Sequence, residues 1–572
     1  MTELKLGNEF GAPAEGDWLQ AVETALRGKS IDSLNSTDLA SFERKPLYTE
    51  ANSQTAADQA GLPGFAPFTR GAAPLNNKFL PWHIAQRIII GRKGADNTAI
   101  LTDLAGGVSA LVLDFSEQAL DSNGLETLLA DVILDIAPLS LGSATADTVR
   151  AVLELLDKRG VSDVPLYLNL SADDAASMVD LTTGHASARL MTANGAAFHA
   201  QGAGVPQELG WMLAELTEGL RALEAAGMDA AQALSKITLT VAADVDFFAT
   251  LAKIRAARVL FANIAEAVGA PDIPPQIHAE TSLRAFSDVD PWVNILRAAS
   301  AAMGAGIAGV DMLTVAPCSA TSASDNALTR RIARNTQVIL QEESYIGRVA
   351  DAAGGSWYIE NLTQQLVESA WAEFQAIEAA GGLSAAADTI NAALAEARAA
   401  FDVAVDKRAM PLVGVSEFPN LDEAPLATGG DNGYRLSAAY EHLRNAAQKA
   451  KPKVFLANIG KMASFTPRAN FAANIYAAGG LHAVSGDGGT DAQAIAEAFK
   501  KSNAKIAVIC ASDDDYEGHA TEVAAALKQA GATHIALAGK PGDIVEVDSY
   551  CFAGCAALSF LQEVHQTLGL SS

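Results

Sequence analysis

The central part of the chain alternates short β-rich runs with longer helical stretches, and this repeat limits the possible folds more than any other feature of the sequence. Clear examples are the β-rich runs Ala110–Asp114, Pro165–Asn169 and Ile237–Val241 and the helical stretches Thr145–Lys158 and Gln207–Ala226. Repeated β-then-α units predict a parallel sheet. The repeat is long and contains no glycine-rich dinucleotide loop, which favours a closed (β/α)₈ TIM barrel over an open Rossmann sheet.

A second, smaller alternation occupies the C-terminal part of the chain. Its predicted strands are Val454–Ala457, Ala504–Cys510 and His534–Ala538, and its predicted helices lie near Asn470–Ala478, Ala492–Lys501 and Ala520–Ala530. This pattern predicts a flavodoxin-like doubly wound domain. In such domains the ligand lies at the carboxyl ends of the strands, so we expect any binding site of this domain at that edge.

Breaks in these patterns divide the chain into four parts. We expect an N-terminal arm at 1–45, a barrel with a helical extension at 46–402, a linker at 403–451 and the doubly wound domain at 452–572. The linker is predicted because the stretch Met410–Gly433 contains several Pro and Gly residues and has no apolar periodicity.

The arm contains one predicted helix. Trp18, Val22, Ala25 and Leu26 recur at helical spacing behind Asp17, which is a suitable N-cap. Such a helix needs a surface to pack against, and this surface could be its own barrel or another chain. The sequence does not decide between the two.

The charge of the chain excludes several classes of partner. The net charge is −27, from 40 Lys and Arg residues and 67 Asp and Glu residues. Such a charge repels nucleic-acid backbones and anionic membrane surfaces. No uncharged apolar run is long enough to span a bilayer. We therefore expect no nucleic-acid partner and no membrane partner.

The cysteines point to a reducing compartment. The four cysteines lack paired zinc-type spacing, and we expect Cys551 and Cys555 to be buried thiols rather than a redox or metal pair. The N-terminus resembles neither a signal peptide nor a transit peptide. A cytoplasmic location is therefore expected.

Four segments resemble those of methylmalonyl-CoA mutases. They are Arg331–Gln337, Gln341–Ser344, Asp351–Glu360 and Asp290–Arg297. The resemblance starts near Lys45 and continues to the C-terminus, so it covers nearly the whole chain. It implies an acyl-CoA mutase barrel followed by a cobalamin-binding domain, which agrees with the architecture expected from the alternation of strands and helices.

The cobalt-binding motif of this family is lost. Members carry D-x-H-x-x-G after the first strand of the cobalamin domain, and the matching positions here are Met462, Ser464 and Pro467. A hydroxyl is a poor cobalt ligand, and a thioether cannot orient an imidazole as the family's aspartate does. Proline fixes φ where the family has glycine. The resemblance therefore implies no cofactor-binding residue and no metal site on this chain.

Other polar groups of the C-terminal domain are expected to be structural. His482, His519 and His534 do not follow its first strand, and we do not expect them to replace the lost ligand. The acidic run Gly486–Asp491 is expected to cap the following helix, and Ser512–Asp515 is expected to be a solvated loop. The alternative for either run is a site for a hard cation.

The barrel positions that carry chemistry in the family have also changed. Active members have a tyrosine five residues after the tryptophan of an Arg-Pro-Trp segment. Here Trp82 is kept, Arg87 stands at the tyrosine position and Leu80 replaces the arginine. His199 matches the family's histidine that bonds the thioester carbonyl, but Phe198 replaces its tyrosine neighbour. His199 could mark a residual substrate site, or it could be retained for the fold alone, which we favour. We therefore expect no catalytic residue on this chain.

These departures resemble the small, non-catalytic chain of the two-chain members of the family. The resemblance implies a heterodimer with a homologous catalytic large subunit, which binds adenosylcobalamin and interconverts (R)-methylmalonyl-CoA and succinyl-CoA in propionyl-CoA metabolism. One alternative is a stand-alone acyl-CoA isomerase or CoA binder with a rebuilt site around His199, which would bind CoA in isolation. Another is a regulatory partner for cobalamin loading, which would associate with the large chain only transiently.

Overall fold

The computed structural model describes residues 14–37, 42–51, 59–74, 77, 79–92, 94–161, 164–321, 326–426, 433–542 and 546–570. Parts of the predicted arm and of the predicted linker lie outside these ranges. Among the described residues, no helix has the length and the apolar composition that a membrane crossing needs.

The described part of the arm contains helix α1 (Glu15–Leu26) and a short antiparallel pair, β1 (Ser36–Thr37) and β2 (Glu43–Arg44). The prediction that Asp17 caps α1 is wrong. Ala14 stands at the N-cap, and Asp17 accepts a hydrogen bond from its backbone N–H at 3.1 Å from inside the first turn. No residue of α1 is buried, so the described part of the barrel does not cover its apolar side.

Eight parallel strands close into a barrel, which confirms the predicted (β/α)₈ fold. The strands are β3 (His83–Ile89), β4 (Ala110–Asp114), β5 (Leu139–Gly142), β6 (Leu166–Leu170), β7 (Ala188–Asn194), β8 (Ile237–Ala243), β9 (Gln276–Thr281) and β10 (Met312–Thr314). Strands β4 and β8 are buried along their whole length, because strands of a parallel barrel are covered on both faces. Strand β10 pairs with both β9 and β3, which closes the ring.

Helices follow the strands and cover the outside of the barrel. In chain order they are α2 (Asn97–Ala105), α3 (Ser122–Leu128), α4 (Ala146–Arg159), α5 (Ala172–Ser177), α6 (Gly195–Ala200), α7 (Val205–Ala225), α8 (Ala230–Ser235), α9 (Phe247–Ala267), α10 (Val293–Ile307) and α11 (Ala327–Val338). The helical extension consists of α12 (Trp357–Ala379) and α13 (Ala387–Asp406), and α12 packs on α7 and α9. Local caps set the ends: Thr145 accepts from the N–H of Thr148 at the start of α4, and Gly160 ends that helix with a φ of +68°.

The segment predicted as a linker is packed against the barrel and contains α14 (Ala438–Gln448). Helix α14 packs against the loop after β9. There the backbone N–H of Asp288 donates to Glu441 at 2.9 Å, and Arg444 donates to Asp290 at 3.0 Å. All four side chains are buried, so these bonds fix α14 on the barrel. The four domain boundaries themselves stay predictions.

Five parallel strands form the second sheet. They are β11 (Lys453–Asn458), β12 (His482–Ser485), β13 (Ile506–Cys510), β14 (His534–Leu537) and β15 (Ser549–Tyr550). Their order in the sheet is β12-β11-β13-β14-β15, which is the order of flavodoxin-like domains and agrees with the predicted fold class. Strands β12 and β15 were not among the predicted strands. The winding reverses between β11 and β13, and sheets of this type bind ligands in the crevice beyond the carboxyl ends of the strands at that switch point.

Four helices pack on this sheet, and two of them begin earlier than predicted. The helices are α15 (Met462–Ala478), α16 (Ala492–Ser502), α17 (Asp513–Gln529) and α18 (Ala557–Leu568). Helix α15 starts at Met462 rather than near Asn470. The prediction of a solvated loop at Ser512–Asp515 is wrong, because Ser512 is the N-cap of α17 and the acidic residues lie at the positive end of its dipole. Asp491 caps α16, as predicted.

Candidate functional site

Arg87 joins three strands at the carboxyl-terminal end of the barrel. From β3 its guanidinium donates to Asp114 Oδ2 at the end of β4 (2.9 Å) and to Glu280 Oε1 near the end of β9 (2.5 Å). The negative charge of Glu280, aided by that of Asp114, raises the pKa of Arg87 although burial opposes this effect. The position that the resemblance assigns to a catalytic tyrosine thus holds a cation bound by two carboxylates.

Other polar side chains inside the barrel are bonded to one another. Three such pairs are Asn169 with Ser140 (2.9 Å), Thr192 with Thr240 (2.8 Å) and His278 with Thr314 (2.8 Å). Burial lowers the pKa of His278 to about 4, so its ring is neutral near pH 7. Because these groups find partners within the chain, the pairs stabilise the interior.

His199 is buried in a network of hydrogen bonds. Its Nε2 lies 2.7 Å from Ser282 Oγ, and its Nδ1 lies 3.1 Å from Glu208 Oε2. Lys253 Nζ donates to the same oxygen of Glu208 at 2.6 Å. Phe198, at the position of the family's tyrosine, packs edge-to-face on a tryptophan with ring centroids 5.5 Å apart. Both ring nitrogens of His199 are thus engaged within the chain.

The charges around His199 keep its ring neutral and Glu208 ionised. Burial lowers the pKa of His199, and the charge of Arg284 lowers it further, which outweighs the opposite effect of Glu208. Although burial opposes it, the charge of Lys253 and the hydrogen bonds from His199 and Lys253 hold the pKa of Glu208 at about 2. The network is therefore a set of satisfied buried groups, which favours a role in the fold.

A segment of the predicted linker covers the helix that carries His199. The backbone N–H of Tyr434 donates to the carbonyl of Ala200 at 2.8 Å, and that of Leu436 donates to the carbonyl of Arg284 at 2.9 Å. The guanidinium of Arg284 donates in turn to the backbone carbonyl of His199. The sequence did not identify Arg284, because nothing in its local pattern distinguishes it from other arginines.

The three positions of the family's cobalt-binding motif lie in the first turns of α15. Met462 opens the helix and is 74% exposed. The hydroxyl of Ser464 donates to Asp515 Oδ2 at 2.6 Å. Pro467 lies inside the helix and has no N–H to bond the preceding turn. None of these residues offers or orients an imidazole, and the one polar group among them is bonded to the chain. The residues present at these positions do not fit a cobalamin.

This domain has four histidines, and none of them lies in the segment that follows its first strand. His482 and His534 are the first residues of β12 and β14, so they lie at the amino ends of strands, opposite to the edge where this fold binds ligands. His534 is also bonded to Ser549 at 2.7 Å, and the Nε2 of His565, on α18, lies 2.7 Å from the carbonyl oxygen of Gly479. His519 lies on α17, one turn after Asp515. In the part of the chain that the structure describes, no group of three or more His, Cys, Asp and Glu side chains is placed to hold a metal ion.

Two of the three cysteines of this domain, Cys510 and Cys551, are poor nucleophiles. Cys510 and Cys551 are buried, and Cys555 is partly exposed. Burial raises the pKa of Cys551 to about 12 and that of Cys510 well above its ordinary value. Such thiols stay protonated at neutral pH, and a protonated thiol is unreactive.

The segments that carry the resemblance hold the barrel together. Trp82 Nε1 donates to Gln337 at 3.1 Å, and Gln341 donates to the backbone carbonyl of Trp82 at 2.9 Å. Arg255, which is fully buried, donates to Glu360 at 2.6 Å. These contacts join buried side chains of the barrel and its helical extension. A structural role of this kind explains how the segments persist in a chain that lacks the family's reactive residues.

Comparison with known proteins agrees with these observations. The family model described as methylmalonyl-CoA mutase matches residues 37–124 and 165–492. The methylmalonyl-CoA mutase small subunit of Streptomyces virginiae is 39% identical, with 99% of each chain covered. That of Propionibacterium freudenreichii subsp. shermanii is 32% identical, with 100% of this chain and 97% of the relative covered. The methylmalonyl-CoA mutase of Cereibacter sphaeroides is 30% identical, and the match covers 72% of this chain and 65% of the relative. The chain therefore belongs to the methylmalonyl-CoA mutase family, whose members are cobalamin-dependent isomerases.

Proposed function

We propose that this chain is the small subunit of a two-chain methylmalonyl-CoA mutase. It pairs with a homologous large subunit, which interconverts (R)-methylmalonyl-CoA and succinyl-CoA. The observation that carries the proposal is the ion-paired Arg87 at the position of the family's tyrosine. Barrels of this type place their active sites at the carboxyl-terminal end, where Arg87 lies. A guanidinium bound by two carboxylates there cannot replace the phenol of the family's tyrosine.

The lengths of the relatives support the proposal. The relatives named as small subunits match this chain almost end to end, whereas the match to the relative from Cereibacter sphaeroides covers about two thirds of that protein. The chain therefore resembles the small subunits in extent as well as in sequence.

The proposal assigns adenosylcobalamin to the large subunit. The cofactor supplies the radical chemistry of this reaction. Met462, Ser464 and Pro467 give this chain no cobalt ligand, and His482 and His534 lie at the opposite edge of the sheet. The contribution of this chain is then structural: its barrel and its second domain support the catalytic large subunit. We assign His199 to this structural role, since both of its ring nitrogens are bonded within the chain.

The test is to produce this chain and its large partner separately and together. We expect a 1:1 complex that persists through gel filtration in high salt, because obligate interfaces are large and apolar. Absorbance spectra should find cobalamin with the large chain and the complex, and none with this chain alone. Mutase activity should require the large chain.

Three outcomes would contradict the proposal. Stoichiometric cobalamin or mutase activity in the isolated chain would restore the stand-alone isomerase. Calorimetry that detects CoA binding by the isolated chain would point to a rebuilt site around His199. An association that disperses during gel filtration would favour a transient partner for cobalamin loading.

A further inference from the structure

The switch point of the second sheet is occupied by side chains of the chain itself. The hydroxyl of Ser464, in the first turn of α15, donates to Asp515 Oδ2 at 2.6 Å, and the hydroxyl of Ser512 donates to the same oxygen at 2.8 Å. We call this group the Ser464–Asp515–Ser512 bridge. It joins the segment after β11 to the segment after β13, across the crevice in which doubly wound domains bind their ligands.

The carboxylate of Asp515 packs directly against the backbone of a glycine. A β-carbon at Gly460, where φ is +84°, would lie 2.5 Å from Asp515 Oδ2, so the carboxylate rests directly on the chain at the end of β11. Gly460 also exchanges two backbone hydrogen bonds with Gly489, of 2.9 and 3.0 Å. A β-carbon at Gly488 would lie 2.6 Å from the ring of Phe465. The loops after β11, β12 and β13 are therefore in direct contact.

Asp515 is held in its charged form. The hydrogen bonds from Ser464 and Ser512 lower its pKa, and the charges of His519 and Lys461 act in the same direction. Asp515 also lies in the first turn of α17, where the helix dipole favours a negative charge. The bridge is therefore intact at neutral pH, and it joins the first turn of α15 to the first turn of α17.

We infer that the carboxylate of Asp515, which Ser464 and Ser512 hold against Gly460, obstructs cobalamin binding in addition to the missing cobalt ligand. The inference rests on the proposed function and deepens it. Two features then exclude the cofactor: the imidazole is absent, and the carboxylate of Asp515 lies against the loop after β11, which is the loop that carries the cobalt ligand in the family. Restoring the ligand residues alone is then insufficient to restore binding.

The test restores the family motif with and without the carboxylate of Asp515, because Ser464→His itself removes one hydroxyl of the bridge. The ligand variant carries Met462→Asp, Ser464→His and Pro467→Gly, and the open variant adds Asp515→Ala. In the ligand variant we expect the carboxylate of Asp515, still bonded to Ser512, to stay over Gly460 and to face the new imidazole. After incubation with hydroxocobalamin and gel filtration, we expect the open variant to retain at least about tenfold more cobalamin per chain than the ligand variant. The matched control adds Asp514→Ala instead, because this neighbouring acid is exposed and lies outside the bridge.

Two results would overturn the inference. One is stoichiometric binding by the ligand variant, and the other is equal binding by the ligand and open variants. Circular dichroism and the elution volume would verify that each variant is folded. The absorbance outcome does not depend on the large subunit, so a failure of the two chains to pair would contradict the proposed function without affecting this test.

A second measurement uses single substitutions, which disturb the fold less. We expect Asp515→Ala to accelerate hydrogen exchange of the backbone amides in the first two turns of α15 by about tenfold or more, because the bond that holds this end of the helix is lost. Asp514→Ala should leave these rates unchanged. Unchanged exchange in Asp515→Ala would also overturn the inference.

Discussion

Arg87 and Glu280 form an ion pair of 2.5 Å between β3 and β9, two strands that are not neighbours in the barrel. Strand β10 lies between them, so the pair crosses the interior instead of following the wall. Arg87 also pairs with Asp114 on β4, its neighbour on the other side. One cation thus holds two carboxylates that would otherwise repel each other inside the barrel.

Restoring the family's residue at this position should cost stability and create no activity. The substitution Arg87→Tyr leaves Asp114 and Glu280 without their cation. Fully buried pairs lose roughly 3–5 kcal/mol when one partner is removed, and these side chains are partly exposed, so we expect the free energy of unfolding to fall by about 1–3 kcal/mol. Urea denaturation at neutral pH measures the loss.

The matched control for this substitution is Arg150→Ala. Arg150 pairs with Asp147 at 2.7 Å on the surface, where both side chains are exposed, and we expect its loss to cost less than about 1 kcal/mol. Equal losses in the two variants would mean that the crossing pair contributes no more than a surface pair. Mutase activity in the isolated Arg87→Tyr chain would contradict the proposed function.

The bond between Trp82 and Gln337 gives a test of the structural role of the family segments. Gln337→Leu leaves the buried indole N–H of Trp82 without its acceptor, and we expect a loss of about 1–3 kcal/mol in the free energy of unfolding. Gln364→Leu is the control, because Gln364 bonds only an exposed glutamate on its own helix. A loss in Gln337→Leu no larger than in this control would remove the explanation given for the persistence of these segments.

Glu215 should make the stability of the chain depend on pH. It accepts the backbone N–H of Asn194 at 2.7 Å, and burial raises its pKa to about 7 from an ordinary value of 4.5. The folded chain therefore holds this proton more tightly than the unfolded chain does, so its stability falls as the pH rises from about 4.5 to 7. Glu215→Gln keeps the acceptor and removes the titration.

We expect Glu215→Gln to be more stable than the natural chain by about 1–3 kcal/mol at pH 8 and nearly equal to it at pH 4.5. Denaturation curves at a series of pH values give the comparison. A difference that does not change with pH would mean that the carboxyl group titrates alike in the folded and unfolded chains.

The barrel could be predicted from the sequence because parallel strands carry a local signal. Strand β4 occupies the predicted residues Ala110–Asp114, and it is buried on both faces by a continuous apolar run. The early start of α15 could not be predicted, because Pro467 weakens the helical signal and the contact that holds the first turn is a bond from Ser464 to a residue 51 positions away. Sequence patterns report neighbours along the chain, and this contact is made by the tertiary fold.

The same limit applies to the candidate site. Arg87 could be identified from its alignment with the family's tyrosine, but its partners Asp114 and Glu280 lie 27 and 193 positions away. The packing of α14 on the loop after β9 depends on contacts between residues that lie 153 and 154 positions apart in the sequence. Such contacts leave no local pattern, so this segment could be recognised only as a stretch without periodicity. The residue types at the family's motif positions were enough to predict which reactive groups are missing. The tertiary structure was needed to show which side chains now bond the residues at those positions.

His199 tests whether this barrel takes part in the reaction. His199→Asn keeps a donor for Glu208 and loses the bond to Ser282, so we expect the isolated chain to lose about 1–3 kcal/mol of stability. If His199 serves only the fold, the complex with the large subunit should keep its kcat and KM within about twofold, since no reacting group has been removed. Ser282→Ala is the matched control, because it removes the same bond and leaves the imidazole in place. A kcat at least about tenfold lower in His199→Asn, with an intact complex and an unaffected Ser282→Ala, would assign His199 to the chemistry and contradict the structural role.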